Sequence, residues 1–508
     1  MEAKHPSDVI GNWGPVQKRL VFFLAFVYII AAFNNLTIPF YAPKLDFFCN
    51  YINQTTGSVD SVKNKCSYQE NNVDIKCSNF TYDHSLFKRT LIEEFDLVCD
   101  KSWYPSFSQS CHQMGYAVSG LLLGFLSDRY GRLFAARIAI ALEIAAGFGQ
   151  ALAPSMYWFW FSRFFVGLAA YGRFLTGYVL VTEWIGPKSR SQAVCVYEYG
   201  YLVGYLSLAW IFYLMPDYKI MQFTVSSVEI ALYIAYIFVV WESPRWLLTH
   251  GRYEQAKDLL TKAAKAKGKL TNEEINRRIE SLKSNAVKEL ESESSVQKQT
   301  VWDVWKVPAL LKLSLILYYT WFAQAFIGYA SVFNVGNLGG SIFLSFFAFA
   351  CSSFLTNTLL ILFINKLPRK QMIVITMSVE AAGLVGLLCC SFNMDLYLWR
   401  VLFSFIYNAA RSATVKVYYL YTAETFPTTM RQASMGTCSI FARIGSVIAP
   451  FMKELTDYTH LSVCISIFLS LCSVNLLLFL IVPETGNIQL PDTIGQKKKH
   501  IELNRVVT

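Results

Sequence analysis

"GFLSDRYGR", residues 124–132, sets Asp128, Arg129 and Arg132 between two long apolar runs. Charges gathered so closely there mark a short polar turn between two helices that cross a bilayer. About 240 residues further on, "LFINKLPRK", residues 362–370, stands in the same surroundings. Three more pairs recur at that offset: "SRFFVG" around Arg163 with "WRVLFS" around Arg400, "TEWIGPKSRSQA" with "AETFPTTMRQAS", and "ESPRW" at Glu242 with "PETGN" at Glu484. Each pair occupies the same loop or helix of its half. Self-similarity at one offset marks a duplicated unit. Here it implies six helices used twice, in two bundles related by an axis along the membrane normal, with a ligand site between them near the midplane.

The composition is that of a membrane protein: of 508 residues 54% are hydrophobic, 16% aromatic and only 16% charged, with a mean hydropathy of +0.35. Runs of about 20 apolar residues cross the hydrocarbon as helices. The chain offers twelve, near 20–41, 104–126, 133–152, 156–182, 190–214, 220–241, 308–333, 340–364, 371–392, 396–421, 433–455 and 460–482. The expected fold is an all-α membrane protein of twelve transmembrane helices in two pseudo-symmetric six-helix bundles. Its parts are a cytosolic N-terminus 1–19, a bundle 20–241 holding an outer loop 42–103, a cytosolic loop 242–307, a second bundle 308–482 and a cytosolic tail 483–508. The start, "MEAKHPSDVIGNWGPVQKRL", lacks a small-residue cleavage signature, so the first run reads as a permanent span. Arg129 and Arg132, Lys188 and Arg190, Lys366 with Arg369 and Lys370, and the "QKKKH" tail share one side, which is expected to be cytosolic. Those flanks largely explain the net charge of +10 and leave little ground for a nucleic-acid partner.

Cys49, Cys66, Cys77 and Cys99 lie in the outer loop and imply two disulfides, with three pairings open. The sequons at Asn53 and Asn79 share that loop and are candidate glycosylation sites, whereas Asn35 falls inside the first span. In the cytosolic loop, "RYEQAKDLLTKAAKAKG" repeats apolar residues at helical spacing and predicts short amphipathic helices on the inner leaflet or the helix ends. "AAKAKGKL" fails as a phosphate loop because Ala263 stands where the first glycine must be. The six histidines have no metal spacing. No nucleophile, base and oxyanion set and no cofactor fingerprint appears, so neither an enzyme nor a metal or cofactor site is expected.

A two-bundle carrier must seal one face reversibly while opening the other, and charge pairs at helix ends suit that task. Asp128, Arg129 and Arg132 with Glu183, Arg190, Glu242, Arg245, Glu424, Arg431 and Glu484 form the expected gating network. The set "LSDRYGR", "TEWIGPKSR", "ESPRWLLTHGR", "YTAETFPTTMR" and "ARIGSVIAPF", with the cysteine-bearing outer loop, resembles the organic ion transporter branch of the major facilitator superfamily. The resemblance implies a multi-pass plasma-membrane protein with both termini cytosolic, moving small organic ions by alternating access, with a coupling or exchange ion as a candidate partner. Two departures are Pro368 in "NKLPRK", where the family usually has glycine, and the loosened closing motif "PETGNIQLPDT".

Arg173, Arg411, Lys416 and Arg443 fall well inside expected spans. Each cation facing lipid there would cost roughly 2.5 to 3.5 kcal/mol, so they must face water, a partner or a substrate. Gly436, Ser439, Arg443 and Ser446 make one small, polar stripe at helical spacing and are expected to line the cavity. In the resembling family the position of Arg443 is commonly Arg in carriers of anions and carnitine-like zwitterions and Asp in cation carriers, which points to a carboxylate held by a guanidinium fork. The lysine that anion carriers often have in helix eight is replaced here, near Asn357. Tyr318, Tyr319, Trp321, Phe322, Phe326 and Tyr329 crowd helix seven, where aromatic faces can attract ammonium groups; Glu143 and Glu198 could supply a counter-charge or a titratable coupling site, and acids such as Glu198 could pair with Arg411 and Lys416. The expected substrate site is Arg443, Tyr329, Asn357, Trp321, Gln324, Arg411 and Glu198. Its cargo is expected to be an organic anion or carnitine-like zwitterion, the alternatives being an organic cation carrier or a non-transporting membrane glycoprotein of the same fold.

Overall fold

The computed structural model describes residues 5–52, 59–70, 73–267, 271–295, 308–363, 367–426 and 430–485. Twelve long helices dominate it: α1 (Pro15–Leu36), α2 (Tyr104–Tyr130), α3 (Arg132–Ala151), α4 (Met156–Trp184), α5 (Arg190–Leu214), α6 (Tyr218–Val239), α7 (Pro308–Phe333), α8 (Ile342–Phe363), α9 (Arg369–Cys390), α10 (Tyr397–Thr425), α11 (Arg431–Ile448) and α12 (Leu461–Leu480). Ten of the twelve belong to stretches apolar and long enough to span a membrane on length and composition. The other two, α2 and α10, are 27 and 29 residues long but turn polar groups inward. Ser108, Gln109, His112 and Gln113 on α2 and Arg400, Ser404, Asn408 and Thr414 on α10 are buried against neighbouring helices, where hydrogen bonds can offset the loss of water.

The duplication is visible in the packing. α2, second in the first half, lies against α11, fifth in the second; α5, fifth in the first half, lies against α8, second in the second. Two equivalent crossings of this kind are what an axis between the halves requires. The turn in the opening stretch is made by Gly131 at φ 111°, a backbone angle that suits glycine. Its counterpart Pro368 caps α9 at φ −57°, so the second half enters its third helix without that glycine geometry.

Two expected spans are interrupted by prolines. The first ends at Leu36 and resumes as the single turn Ile38–Tyr41, which holds Pro39; the eleventh ends at Ile448, and Pro450 opens the separate helix Phe451–Tyr458. A proline lacks an N–H and its ring collides with the carbonyl four residues back, so neither run continues unbroken. The described residues of the loop 42–103 carry five strands, β1 (Phe47–Ile52), β2 (Val59–Lys63), β3 (Ser67–Glu70), β4 (Val73–Lys76) and β5 (Phe80–Tyr82), forming an antiparallel β2-β1-β5 sheet and a β3-β4 hairpin. Disulfides Cys49–Cys77 and Cys66–Cys99 resolve the three open pairings. Asn79 is exposed in this loop, while Asn53 lies outside the described residues. Asn35 is buried in α1 and donates to Tyr201 Oη at 3.0 Å.

At the opposite end, helices Pro244–Thr249, Tyr253–Lys267 and Asn272–Ser295 form a cap. Ala256, Leu260, Ala263, Ile275, Ile279 and Leu282 bury the apolar stripe against Val9 and Ile10 of the turn Ser7–Ile10 and the ends of the first bundle. Trp246 Nε1 donates to Asp128 O at 2.8 Å, and Arg278 donates to Asp8 O at 2.6 Å, pinning the cap to the first half.

Candidate functional site

The charged turns are built twice to one plan. In the first half Arg132 donates to Asp128 at 2.7 Å and to Glu183 at the end of α4 at 3.0 Å, while Glu242, after α6, accepts the free N–H groups of Arg132 and Leu133 at 3.0 Å each. A carboxylate at a helix N-terminus fills orphan donors and complements the helix dipole. Burial pushes the Glu242 carboxyl up, and those backbone bonds pull it back. In the second half Arg369 donates to Glu424, at the end of α10, at 3.4 Å, and Glu484 accepts the Lys370 N–H at 3.0 Å. Thr485 joins the cluster through Glu424 at 3.1 Å. Among the described residues every ion pair of this network stays inside one half. Asp128 is 79% exposed, Arg129 lies over the Phe125 and Tyr130 rings, and Arg245 is exposed. Arg190 and Arg431 keep buried nitrogens without hydrogen-bond partners among the described residues.

Midway along the helices, polar side chains from both halves face one another. Arg443 on α11 reaches across to the first half, its guanidinium 4.4 Å from the centre of the Tyr171 ring and 5.4 Å from that of Tyr116. The Tyr329 and Tyr419 phenols are also close enough to act on its charge. Opposite lies a stack in which Tyr28 on α1 meets Tyr197 at 4.7 Å, Phe174 at 5.2 Å and Tyr201 at 5.4 Å. Glu198 on α5 and Lys416 on α10 are partly exposed here and within electrostatic reach of each other. The expected pairing of Glu198 with Arg411 or Lys416 is not made: Lys416 Nζ donates to Asn357 Oδ1, and Arg411 donates to Asn408 Oδ1 at 3.2 Å and Gln324 O at 3.5 Å. Towards the disulfide loop an apolar cluster drawn from both halves closes the space, with Phe40 stacked on Phe212 at 4.8 Å and edge-on to Phe346 at 4.8 Å.

Behind this chamber each half has a buried carboxylate. In the first, Glu143 on α3 takes Arg173 Nε at 2.7 Å, Arg173 Nη2 at 2.8 Å and Asn34 Nδ2 at 2.7 Å, with Glu229 on α6 standing 3.7 Å from the same guanidinium. Arg173, expected to need a partner, has two. In the second, Glu380 on α9 is fully buried and among the described residues takes only Gln324 Nε2, at 3.2 Å.

Over residues 44–493 the chain matches the family described as "Sugar (and other) transporter". It is 30% identical to solute carrier family 22 member 3 of Rattus norvegicus, covering 81% of this chain and 72% of that protein, and 30% identical to solute carrier family 22 member 13 of Homo sapiens, covering 80% and 71%. An organic cation transporter protein of Drosophila melanogaster is 28% identical over 96% of this chain and 93% of its own. This chain belongs to solute carrier family 22, within the major facilitator superfamily. The fold matches the inward open conformation of the xylose transporter XylE from E. coli with a TM-score of 0.66, at 16% identity and over 96% and 98% of the two chains. The family consists of membrane transporters, not enzymes.

In this family 22 carrier the expected substrate residues fall into two groups. Arg443, Tyr329, Arg411, Glu198 and, through Lys416, Asn357 surround the space between the halves. Trp321 and Gln324 do not: Trp321 is 1% exposed and donates to Thr422 at 3.1 Å, and Gln324 is fully buried against Glu380. Helical spacing shows which residues share a face, but not which face turns to the chamber. The aromatic crowd of α7 mostly packs within its own half, as Tyr318 on Phe441 at 4.6 Å and Trp321 on Tyr419 at 4.1 Å. The stripe on α11 is split likewise, since Ser446 is buried and donates to Arg443 O at 2.9 Å. Sequence reasoning passed over Glu380, Glu229, Tyr116, Tyr171 and Tyr28. The first was detectable, because Glu143 and Glu380 obey the repeat offset.

Proposed function

We propose that this transporter carries small organic anions or carnitine-like zwitterions across the plasma membrane by alternating access, with Arg443 gripping the carboxylate. The observation that carries the reading is the company Arg443 keeps. Arg173 has Glu143, Lys416 has Asn357 and Arg163 has Gln109, whereas Arg443 is joined to no carboxylate or amide among the described residues and rests on tyrosine rings. Beyond its bond with the Tyr171 hydroxyl, a guanidinium so placed keeps donors for a ligand, and a carboxylate fits them by two parallel bonds. The tyrosine wall suits the ammonium end of a zwitterion.

A second reading, an organic cation carrier, draws on Glu198, whose carboxylate reaches the chamber, and on the printed name of the Drosophila relative. Radiolabelled uptake in oocytes, with one anion, one cation and one zwitterion, separates the two. Saturable uptake of the carboxylates is expected, falling roughly tenfold or more in Arg443→Asp as charge-assisted hydrogen bonds of about 1.5–3 kcal/mol are lost. Unaltered selectivity in that variant refutes the role of Arg443, and no uptake of any compound favours the non-transporting glycoprotein.

A further inference from the structure

The buried carboxylates repeat, but their partners do not. Glu143 and Glu380 sit on the third helix of each half and are 237 residues apart; Arg173 and Arg411 sit on the fourth and are 238 apart. The amide donor comes from the first helix in each case, Asn34 on α1 and Gln324 on α7. In the first half the arginine closes on the acid through two bonds below 3 Å, so both oxygens of Glu143 are filled. In the second half the same three parts are present and the clamp is open. Arg411 turns to Asn408 and the Gln324 carbonyl, its Nε has no hydrogen-bond partner among the described residues, and Glu380 Oε1 has none either.

An ionised carboxylate wholly removed from water, with one neutral donor and its cation turned away, is strongly disfavoured. A neutral acid at the same place escapes most of that cost. The titratable and charged groups facing Glu380 are Arg411 and Tyr407 from α10 and Cys472 from α12, while α7 offers the neutral Gln324. Gln324 Oε1 also lacks a partner among the described residues, so turning that amide over presents an acceptor to a protonated carboxyl.

We propose that Glu380 is a proton-binding site of this transporter, protonated while Arg411 is held by Asn408 and the Gln324 carbonyl and deprotonated when Arg411 swings across to clamp Glu380 as Arg173 clamps Glu143. The proton moves between Glu380 and chamber water, forming or breaking one O–H bond. Cargo that draws Arg411 into the chamber thereby takes up a proton at Glu380. The cargo link rests on the transport reading above; the proton site itself does not.

Two arms test it. In the first, infrared absorption of the purified full-length protein in lipid nanodiscs is followed from about pH 5 to about pH 9, where buried carboxyls titrate. A protonated-carboxyl band is expected that is lost in Glu380→Gln, the difference isolating it from Glu143 and Glu229. In Arg411→Gln its midpoint should rise by about one unit or more, since an opposite charge is removed. Wild-type and Glu380→Gln spectra that superimpose, or an Arg411→Gln midpoint that does not move, overturn the proposal. This arm needs no cargo, so a chain that carries nothing in the panel fails only the transport reading. The second arm measures uptake of a carried compound against outer pH: a severalfold dependence in the wild type that is flat in Glu380→Gln supports the coupling, and a retained profile in that variant refutes it.

Discussion

Replacing Gly200 by alanine should push α1 off α5. "GYLVG", residues 200–204, sets two glycines one helical turn apart, and small residues at that spacing let the backbones of membrane helices touch. A Cβ at position 200 would lie 1.9 Å from the Ala25 carbonyl oxygen, and one at 204 would lie 2.5 Å from that of Ile29. Ordinary contact begins at 3.4 Å, so α1 must retreat by about 1.5 Å at Ala25. Both obstacles are helix backbone, which cannot rotate aside as a side chain would. Forced overpacking costs about 1–3 kcal/mol, and at roughly 1 °C per kcal/mol for a chain of this length the melting temperature should drop by roughly 1–3 °C. Function should suffer as well, because α1 carries Tyr28, stacked on Tyr197 in the chamber wall. The assay is thermal unfolding of purified protein beside uptake per surface molecule, with Gly436→Ala as the stability control, since a Cβ there meets nothing within 4 Å. If Gly200→Ala and Gly436→Ala melt together, the close crossing is not what holds α1.

Three further outcomes follow from the same geometry. Arg173→Met strands Glu143 and Glu229 without their cation and should destabilise the first half by about 3–5 kcal/mol, read as lost folded protein; a variant melting like the wild type refutes the clamp. His5 is held down at about 4 by burial and by the Arg190 and Arg245 charges, against Asp8. A depressed pKa means that docking of the N-terminal turn keeps its full contribution above about pH 6.5 and loses it as pH falls toward 4, so hydrogen exchange over residues 5–14 should rise in that window and stay flat in His5→Phe; no pH dependence in the wild type counts against it. Cys66→Ser with Cys99→Ser frees the loop from one cross-link, worth about 2–5 kcal/mol in small extracellular domains, and proteolysis within residues 47–99 should quicken; an unchanged digestion rate refutes that role.

The helices were legible because twenty apolar residues in a row have few other uses, and the halves were legible because Glu242 and Glu484 keep their places in both. The breaks at Pro39 and Pro450 were written in the sequence too, but each sits inside an apolar run, so hydropathy carried the expected span straight across. The strands of the outer loop were hidden for a different reason: "VDSVK" and "SYQE" are short and polar, and the disulfides tie them down. Disulfide pairing needs distances that no spacing supplies. At the candidate site, Arg443 was legible as a cation too costly to face lipid. Tyr116 and Tyr171, on which it rests, were not, because they come from the other half and only the assembled bundle brings them within 5.4 Å and 4.4 Å.

The two ends of the molecule are held by different forces, and this asymmetry bears on how such a carrier could turn. Toward the disulfide loop the halves are bonded to each other: Ser106 to Glu454 at 2.9 Å, Ser110 to Val447 O at 2.6 Å, Lys453 to Ala42 O at 3.1 Å and Ser102 to Tyr458 at 3.1 Å, with an ion pair of Lys44 and Asp457 at 3.5 Å. Toward the cap the ion pairs lie within one half, and the cap helices rest on the first half. Tyr199 with Thr358, at 2.8 Å, is a cross-half bond lower on the α5–α8 crossing. Each half can therefore tilt as a rigid block, its third, fourth and sixth helices locked by Arg132 with Glu183 and Glu242, or by Arg369 and Lys370 with Glu424 and Glu484. Closing the cap end would bring together charges whose heads are now in water, Asp128 and Arg129 foremost, while breaking four neutral or singly charged hydrogen bonds and the exposed Lys44–Asp457 ion pair at the other end. Each such bond contributes about 0.5–3 kcal/mol net, small enough for a cargo's differential affinity to decide which face is open. Neutralising Asp128 should accordingly slow turnover while leaving surface delivery intact, since its bond to Arg132 is largely exposed and surface pairs of that kind contribute about 0–1 kcal/mol to stability; normal uptake per surface molecule in Asp128→Asn would show that the exposed charges take no part in closure.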